Sequence, residues 1–339
     1  MKEFIFKLCA ANGVSGSEGS VSKLLSDRLK QYADVEIDQN GTLIAQMGNL
    51  TAEKHIMLDA HIDQIGLIVT DIDEHGFLKV AACGGIDRRV LPGAVMKVCA
   101  KEELLGIVSC LPPHLSKGEE EKLPSIEEFS IDVGLSQKQA ETLVARGDRV
   151  LFAEKPKQLL GNRIAAPALD NRAGAAVLVR CAELLSHKNL SCKLSIVLSV
   201  QEETSALGAA TASYALNPDE AVVVDVSFAS QPSVPSEKSG ELSKGPMIGV
   251  APSLSSRVTK KLFTLAEKHG LSYQTEVMGG KTGTNADKVS VSRSGIPSGL
   301  VSIPERNMHT PVEVVDLGDI ETTARLLSLY VENGGGMID

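Results

Sequence analysis

Ser195-Ile-Val-Leu-Ser-Val-Gln-Glu-Glu-Thr204 is a short apolar run, rich in β-branched residues, that ends in two adjacent carboxylates, Glu202 and Glu203. Such a run reads as a buried strand. Neighbouring side chains of an extended strand point to opposite faces, so the two carboxylates are expected to do different jobs. One can ligate a metal while the other faces a bound water. Acidic groups beside a core strand are costly unless paired or metal-bound, so partners are expected at other strand ends.

Working outward, residues 55–61 (His-Ile-Met-Leu-Asp-Ala-His) read as a second buried strand, and 221–226 and 299–303 as two more. Helical periodicity marks 17–33, with Val21, Leu24, Leu25 and Leu29 on one stripe, and also 173–185, 255–269 and 317–331. A strand at 35–38 turns at Asn40-Gly41 into another. Alternation of this kind predicts an α/β fold, a mixed sheet flanked by helices on both faces. Between 68 and 156 the pattern changes to short segments broken by Gly and Pro, with strands near 76–80, 94–98 and 105–109. That block is expected to be a small β-barrel inserted into the α/β domain, which then comprises 1–67 and 157–339. The charged run 117–122 inside it reads as a solvated loop.

The strand ends collect the candidates for chemistry. His61 and Asp63 follow one strand, Glu202 and Glu203 another, and Asp225 a third. Asp170 lies where a loop enters a helix, and His309 follows the last strand. Ligands of open α/β sheets bind at the carboxyl ends of strands. Two histidines with three carboxylates suit a borderline metal such as Zn²⁺ or Co²⁺; an all-oxygen set would suit Mg²⁺ or Ca²⁺. Singly, Asp170 reads as a helix N-cap, Asp225 as a strand-end carboxylate, and the two histidines as structural or loop residues. Together those separate readings require several coincidences at one sheet edge.

The motifs Asp59-Ala-His-Ile-Asp63, Leu169-Asp-Asn-Arg172, Gln201-Glu-Glu203, Val224-Asp-Val226 and Arg306-Asn-Met-His-Thr-Pro-Val-Glu313 resemble, in order and spacing, those of the tetrahedral aminopeptidases. These are the dinuclear-metal glutamyl, deblocking and lysyl aminopeptidases of peptidase family 42. Gly106-Ile-Val and Pro112-Pro-His114 extend the resemblance into the insertion. It implies that Asp170 bridges two divalent ions (Zn or Co, with Mn as a third option). His61 and Asp225 would complete one site and Glu203 and His309 the other. Glu202 would be the general base, and Asp63 would hold the His61 ring in its ligating orientation. The resemblance further implies a zinc-peptidase type α/β domain with a dimerising β-barrel insertion, peptide substrates, and homo-oligomers in which dimers close into a dodecameric shell. In that chemistry paired cations polarise the scissile carbonyl and acidify a water, and Glu202 carries its proton to the leaving amine. A free α-amino group on one metal would confine cleavage to the first residue.

One position departs from the family pattern. Many relatives carry Gly-Thr-Asp-Ala where this chain reads Gly283-Thr-Asn-Ala286, followed by Asp287. The loop is expected to line the substrate groove, so Asn285 bears on substrate preference and not on the metals. Arg88 and Arg89 read as surface or interface charges, with contact to a substrate side chain as the alternative.

Composition removes other classes. A formal charge of −9 argues against nucleic-acid or anionic-membrane partners. The absence of Trp and a 3% aromatic content argue against sugar platforms and base stacking. Length, at 339 residues, points to two domains or to one with an insertion. No apolar run approaches a membrane span, and the six cysteines, without a C-x-x-C pair, read as reduced buried thiols of a cytoplasmic protein. The rival activities are a related dinuclear hydrolase, of deacetylase or carboxypeptidase type, and a glucanase. A glycosidase needs two carboxylates facing one bond across roughly 5–9.5 Å, which adjacent residues of one strand do not offer directly.

Overall fold

The computed structural model describes residues 1–115 and 124–336. The chain opens with helices α1 (Lys2–Ala10) and α2 (Gly19–Leu29), then strands β1 (Asp34–Ile37), β2 (Leu43–Gly48) and β3 (His55–His61). A β-rich block follows: β4 (Gly66–Ile72), β5 (Leu78–Cys83), β6 (Val95–Cys99), β7 (Glu103–Val108), β8 (Ser130–Asp132), α3 (Gln137–Leu143) and β9 (Arg149–Phe152). Next come β10 (Lys157–Gln158), β11 (Arg163–Ala166), α4 (Leu169–Leu185), β12 (Lys193–Ser199), α5 (Leu207–Leu216) and β13 (Glu220–Phe228). The chain ends with β14 (Met247–Val250), α6 (Ser256–Lys268), β15 (Gln274–Val277), α7 (Ala286–Val289), β16 (Ser298–Glu305), β17 (Glu313–Asp316) and α8 (Leu317–Glu332).

Eight strands make one mixed sheet in the order β1-β2-β12-β3-β13-β16-β14-β15. Its central strands β12, β3, β13 and β16 run parallel, which puts their carboxyl ends on one edge. Alternation along β3 explains the layering. Ile56, Leu58 and Ala60 pack into the core shared with α1, α2, α4, α6 and α8, while Met57 faces the smaller core beneath α5 and α7. Burial on both faces is why Ile56, Met57 and Leu58 are consecutive apolar residues, each large side chain contributing about 1.5–3 kcal/mol. The amphipathic α6 shows the helical counterpart: Val258, Leu262, Leu265 and Ala266 are buried, and Ser255 Oγ accepts the Val258 N–H at the amino end.

The β-rich block closes on itself as a six-stranded antiparallel barrel, β4-β5-β8-β7-β6-β9, around Leu67, Val69, Leu78, Val80, Met96, Val98, Ile131 and Val150. The mixed sheet with its barrel agrees with the sequence expectation. The helix α3 was not expected there; it buries only Ala140, so it has no apolar stripe to read. The charged run 117–122 lies outside the described residues. All six cysteines are free, and Cys110 is exposed, contrary to the expectation of burial. Burial pushes the Cys9 thiol up to about 12. Among the described residues no helix is long and apolar enough to cross a membrane.

A third, three-stranded sheet, β10-β11-β17, determines how two loops meet. Its register pairs Ala166 with Glu313, which brings the entry to α4 beside the segment that joins β16 to β17.

Candidate metal centre

His61 is the last residue of β3 and pairs with Ser199, the last of β12. Asp225 lies within β13, which runs on to Phe228, and not at its end as the sequence suggested; β16 extends alongside and supports the extra residues through Ser227↔Pro304 and Phe228↔Glu305. His309 sits in the β16–β17 connection, and Asp170 at the start of α4.

The helix entry shows why Asp170 is not a cap. Asn171 Oδ1 accepts the Gly174 N–H at 3.0 Å, the bond an N-cap makes, while Asn171 Nδ2 donates to Val224 O at 2.8 Å. Asp170 itself has non-helical torsions (φ −75, ψ 103), and its carboxylate is free to face the sheet edge. Its two oxygens divide between the two histidines: Oδ1 is 3.1 Å from His61 Nε2, and Oδ2 is 3.3 Å from His309 Nε2. A further carboxylate completes each side. Asp225 Oδ1 is 3.6 Å from His61 Nε2, and Glu203 Oε2 is 3.4 Å from His309 Nε2. The five predicted ligands thus form two groups sharing Asp170: His61, Asp170 and Asp225, and Asp170, Glu203 and His309.

These spacings fit metal ions. Ligand bonds of about 2.0–2.2 Å in tetrahedral geometry put neighbouring donor atoms roughly 3.3–3.6 Å apart. Each group mixes one imidazole nitrogen with carboxylate oxygens, the donor set of a borderline cation. Glu203 Oε1 is also buried with no hydrogen-bond partner, as expected of an oxygen aimed at a cation. Electrostatics agree. Burial pushes the carboxyl groups of Glu203 and Asp225 up, and Asp170 beside them adds to the rise. Burial opposes charge on the two imidazoles, yet the surrounding carboxylates hold His61 well above its ordinary value and His309 at about 11. Acids crowded this densely call for positive charge, which protons on the imidazoles or metal ions can supply.

Both imidazoles are oriented by backbone. His61 Nδ1 lies 3.2 Å from Asp63 O and His309 Nδ1 lies 2.9 Å from Gly85 O. A proton on Nδ1 donated to either carbonyl leaves Nε2 with its lone pair toward Asp170, the tautomer a ligand needs. Gly85 follows β5, so the barrel contributes directly to the centre. The Asp63 carboxylate lies 3.4 Å from His61 Nδ1 and also has backbone partners. It accepts the N–H groups of Glu202 (2.9 Å) and Glu203 (3.2 Å). Those bonds correct the strand picture of the two glutamates: β12 ends at Ser199, and Glu202 and Glu203 occupy a turn entered through Gln201 at φ +58. The turn still separates them, with Glu203 against His309 and Glu202 Oε2 4.0 Å from His61 Nε2. Burial pushes the Glu202 carboxyl up to about 8; His61 opposes the rise, and Asp225, Glu203 and Asp170 reinforce it.

Asn285 differs from its expected position. It is buried, and its amide donates to Asp59 Oδ2 (2.8 Å) and Ser199 Oγ (2.9 Å), pinning its loop to β3 and β12 instead of lining a groove. Arg89 is spent on Asp87, and Arg88 donates to Pro124 O. Sequence reading missed Glu313, although it lies in a quoted motif: its carboxylate accepts the backbone N–H groups of Asp170 (3.1 Å) and His309 (3.0 Å). Glu305 was missed as well; both of its carboxyl oxygens are buried without partners, and burial beside Glu313 raises it well above the usual carboxylate range.

The profile of the M42 glutamyl aminopeptidase family matches residues 41–326. The lysyl aminopeptidase of Pyrococcus furiosus is 34% identical, over 97% of this chain and 96% of that protein. Aminopeptidase APDkam598 of the archaeon Desulfurococcus kamchatkensis superposes with a TM-score of 0.92 at 32% identity, covering 98% of this chain and 94% of its own. The TET1 peptidase of Pyrococcus horikoshii, described as assembling into a tetrahedron or a large octahedral shell, gives 0.87 at 29% identity, covering 97% and 98%. A match across most of the chain, together with this fold, makes the protein a peptide hydrolase of the M42 aminopeptidase family.

Proposed function

We propose that the protein releases N-terminal residues from peptides, using water activated at a dinuclear metal centre with Glu202 as general base. The observation that carries this reading is the division of the Asp170 carboxylate between His61 and His309, each with its own further acid. His61 and Asp225 would hold one ion, Glu203 and His309 the other, and Asp170 both. Bound divalent ions, Zn or Co and alternatively Mn, would acidify water and polarise the scissile carbonyl.

The protein's own groups supply the rest. Glu202 is held by the bond from its N–H to Asp63, with its carboxyl 4.0 Å from His61 and reaching the open side of the centre. There it takes the proton of the attacking water and returns it to the departing amine. Asp63 and Gly85 keep the two imidazoles in their ligating orientation.

The same reading assigns 1–67 and 157–339 to catalysis and the barrel block, 68–156, to contact between subunits of a cytoplasmic homo-oligomer, built from dimers toward a dodecamer. Support for the contact comes from Val95, Leu105 and Ile107, exposed apolar residues on the adjacent strands β6 and β7. Light scattering of the purified protein tests the assembly.

The activity test is Glu202→Gln in metal-loaded protein, assayed on aminoacyl anilides, N-acyl amino acids and cello-oligosaccharides. The expected result is anilide hydrolysis by wild type alone, with a loss of about 10²–10⁴-fold in kcat and unchanged metal content in the variant. Hydrolysis of the acylated or sugar substrates in place of the anilides would overturn the reading.

A further inference from the structure

The turn 201–205 carries both Glu202 and Glu203, and it lies beyond Ser199, the last residue of β12. The same turn borders a groove of about 430 Å³ that Thr284, Asp287 and Lys288 also line. Gln201 enters the turn at φ +58, a left-handed conformation uncommon for a residue with a Cβ. Such a conformation persists only where its surroundings hold it. Asp63 supplies part of that hold through the N–H groups of Glu202 and Glu203.

More of it comes from the segment between α1 and α2. Glu18 stands at the N-cap of α2, yet its side chain makes no capping bond to that helix. Its Oε1 turns away and accepts two backbone N–H groups, those of Gly16 at 2.7 Å and of Gln201 at 3.2 Å. At the far side of the turn, Thr204 Oγ1 lies 3.0 Å from Ser15 Oγ. Glu18 and Ser15 are both buried, and between them they grip the residues on either side of the two glutamates. Their own segment is anchored twice. Gly13 O accepts the Gln64 N–H at 3.0 Å and Gln64 O accepts the Ser15 N–H at 3.2 Å, one residue after Asp63. Ser15 O also accepts Arg149 Nε at 3.2 Å, from strand β9 of the barrel.

We propose that Glu18 and Ser15 are positioning residues for the reaction, holding the turn so that Glu202 stands at the open side of the metal centre. This rests on the aminopeptidase reading above, in which Glu202 moves the proton of the attacking water. Glu203 would be held in addition by the ion it ligates; Glu202 ligates none and depends on the turn. A carboxylate that accepts a backbone N–H is a stronger hold than a neutral acceptor. Misplacing a reacting group by about 1 Å costs up to about 10²-fold in rate. Loss of the Glu18 acceptor therefore falls on kcat and leaves KM nearly unchanged.

The test compares Glu18→Ala, Glu18→Gln, Ser15→Ala and Glu202→Gln with wild type, using whichever of glutamyl, leucyl and lysyl p-nitroanilide the wild type cleaves fastest. Unfolding temperature and metal content check that each variant folds. Glu18→Ala is expected to lose about 10–100-fold in kcat with KM within about twofold, and Ser15→Ala to lose less. Glu18→Gln keeps an oxygen at the same place and should recover most of the rate. A second readout needs no activity: in the metal-free protein, hydrogen exchange of the amides of 201–203 should quicken in Glu18→Ala and not in Glu18→Gln. If Glu18→Ala does not fold, Ser15→Ala, which removes a single hydroxyl, carries the test with the same expected direction. Wild-type kcat in the folded variants while Glu202→Gln is inactive overturns the positioning role alone, as does an equal loss in Glu18→Gln and Glu18→Ala. Wild-type kcat in Glu202→Gln overturns both readings.

Discussion

Glu313 Oε2 accepts the backbone N–H of Asp170 at 3.1 Å, so a carboxylate outside the ligand set fixes the residue that faces both histidines. Its other oxygen holds the His309 N–H, and the pairing of Ala166 with Glu313 in the small sheet makes both bonds possible. Replacing Glu313 by Ala leaves two backbone donors at the centre without this acceptor, while every proposed ligand remains. The expected result is a loss of about 10–100-fold in metal affinity, read by isothermal titration with Zn²⁺ or Co²⁺. Glu313→Gln keeps one acceptor oxygen and should fall between. Wild-type affinity in Glu313→Ala would show that the two loops hold their geometry without it.

Gly85 is the point where the barrel reaches the centre. A Cβ added there would lie 2.9 Å from His309 Nδ1 and 3.1 Å from Cε1, tighter than side chains tolerate. The ring would have to move, and its bond to Gly85 O would be disturbed with it. Gly85→Ala is therefore expected to weaken one of two bound metal equivalents and to lower kcat. Gly19→Ala, where nothing lies within 4 Å of the new methyl, should behave as wild type in both measurements. Metal stoichiometry by mass spectrometry decides the matter, and full occupancy in Gly85→Ala would remove the barrel from the site.

How much of this was legible in the sequence follows from where each contribution resides. His61, Asp170, Glu203, Asp225 and His309 come together through their side chains, and although each has a bland reading taken singly, their joint placement at one sheet edge was legible in the residue letters. Gly85 acts through a carbonyl oxygen, a group that every residue possesses. Glu313 and the second role of Asp63 act by accepting backbone N–H groups; those of Asp170, Glu202 and Glu203 come from far away in the chain, and spacing does not reveal such pairs. Asn285 was misread for a related reason: its loop does reach the groove, but the amide turns inward to Asp59, and the wall is made by its neighbours. Among the elements, α5 escaped because its small residues form no stripe, although Ala209 and Ala212 are buried against the sheet.

Asp170 and His309 differ in what they should cost. With one Asp170 oxygen facing each histidine, Asp170→Ala removes a donor from both groups, whereas His309→Ala removes one from the group containing Glu203. Equilibrium dialysis should therefore find the wild type with two metal equivalents, His309→Ala with one retained tightly, and Asp170→Ala with neither. Two tight equivalents in Asp170→Ala would mean that the carboxylate does not bridge.

His55, at the opposite end of β3 from His61, gives a pH dependence separate from the metal centre. Burial pushes its imidazole from 6.5 down to about 4, Lys193 adds to the shift, and Asp219 opposes it. Its Nε2 lies 2.8 Å from Ser195 Oγ, a bond the neutral ring makes without carrying charge into the sheet. The folded-state value lies below the unfolded one, so between about pH 6.5 and 4 the unfolded chain binds more protons at this residue. Its contribution to stability is thus complete above pH 6.5 and falls as pH drops toward 4. His55→Gln keeps a polar group near Ser195 but cannot titrate. Urea midpoints taken across this range should fall more steeply for wild type than for the variant, with the two curves parallel above pH 7. Parallel curves throughout would mean that the buried ring gains its proton without penalty.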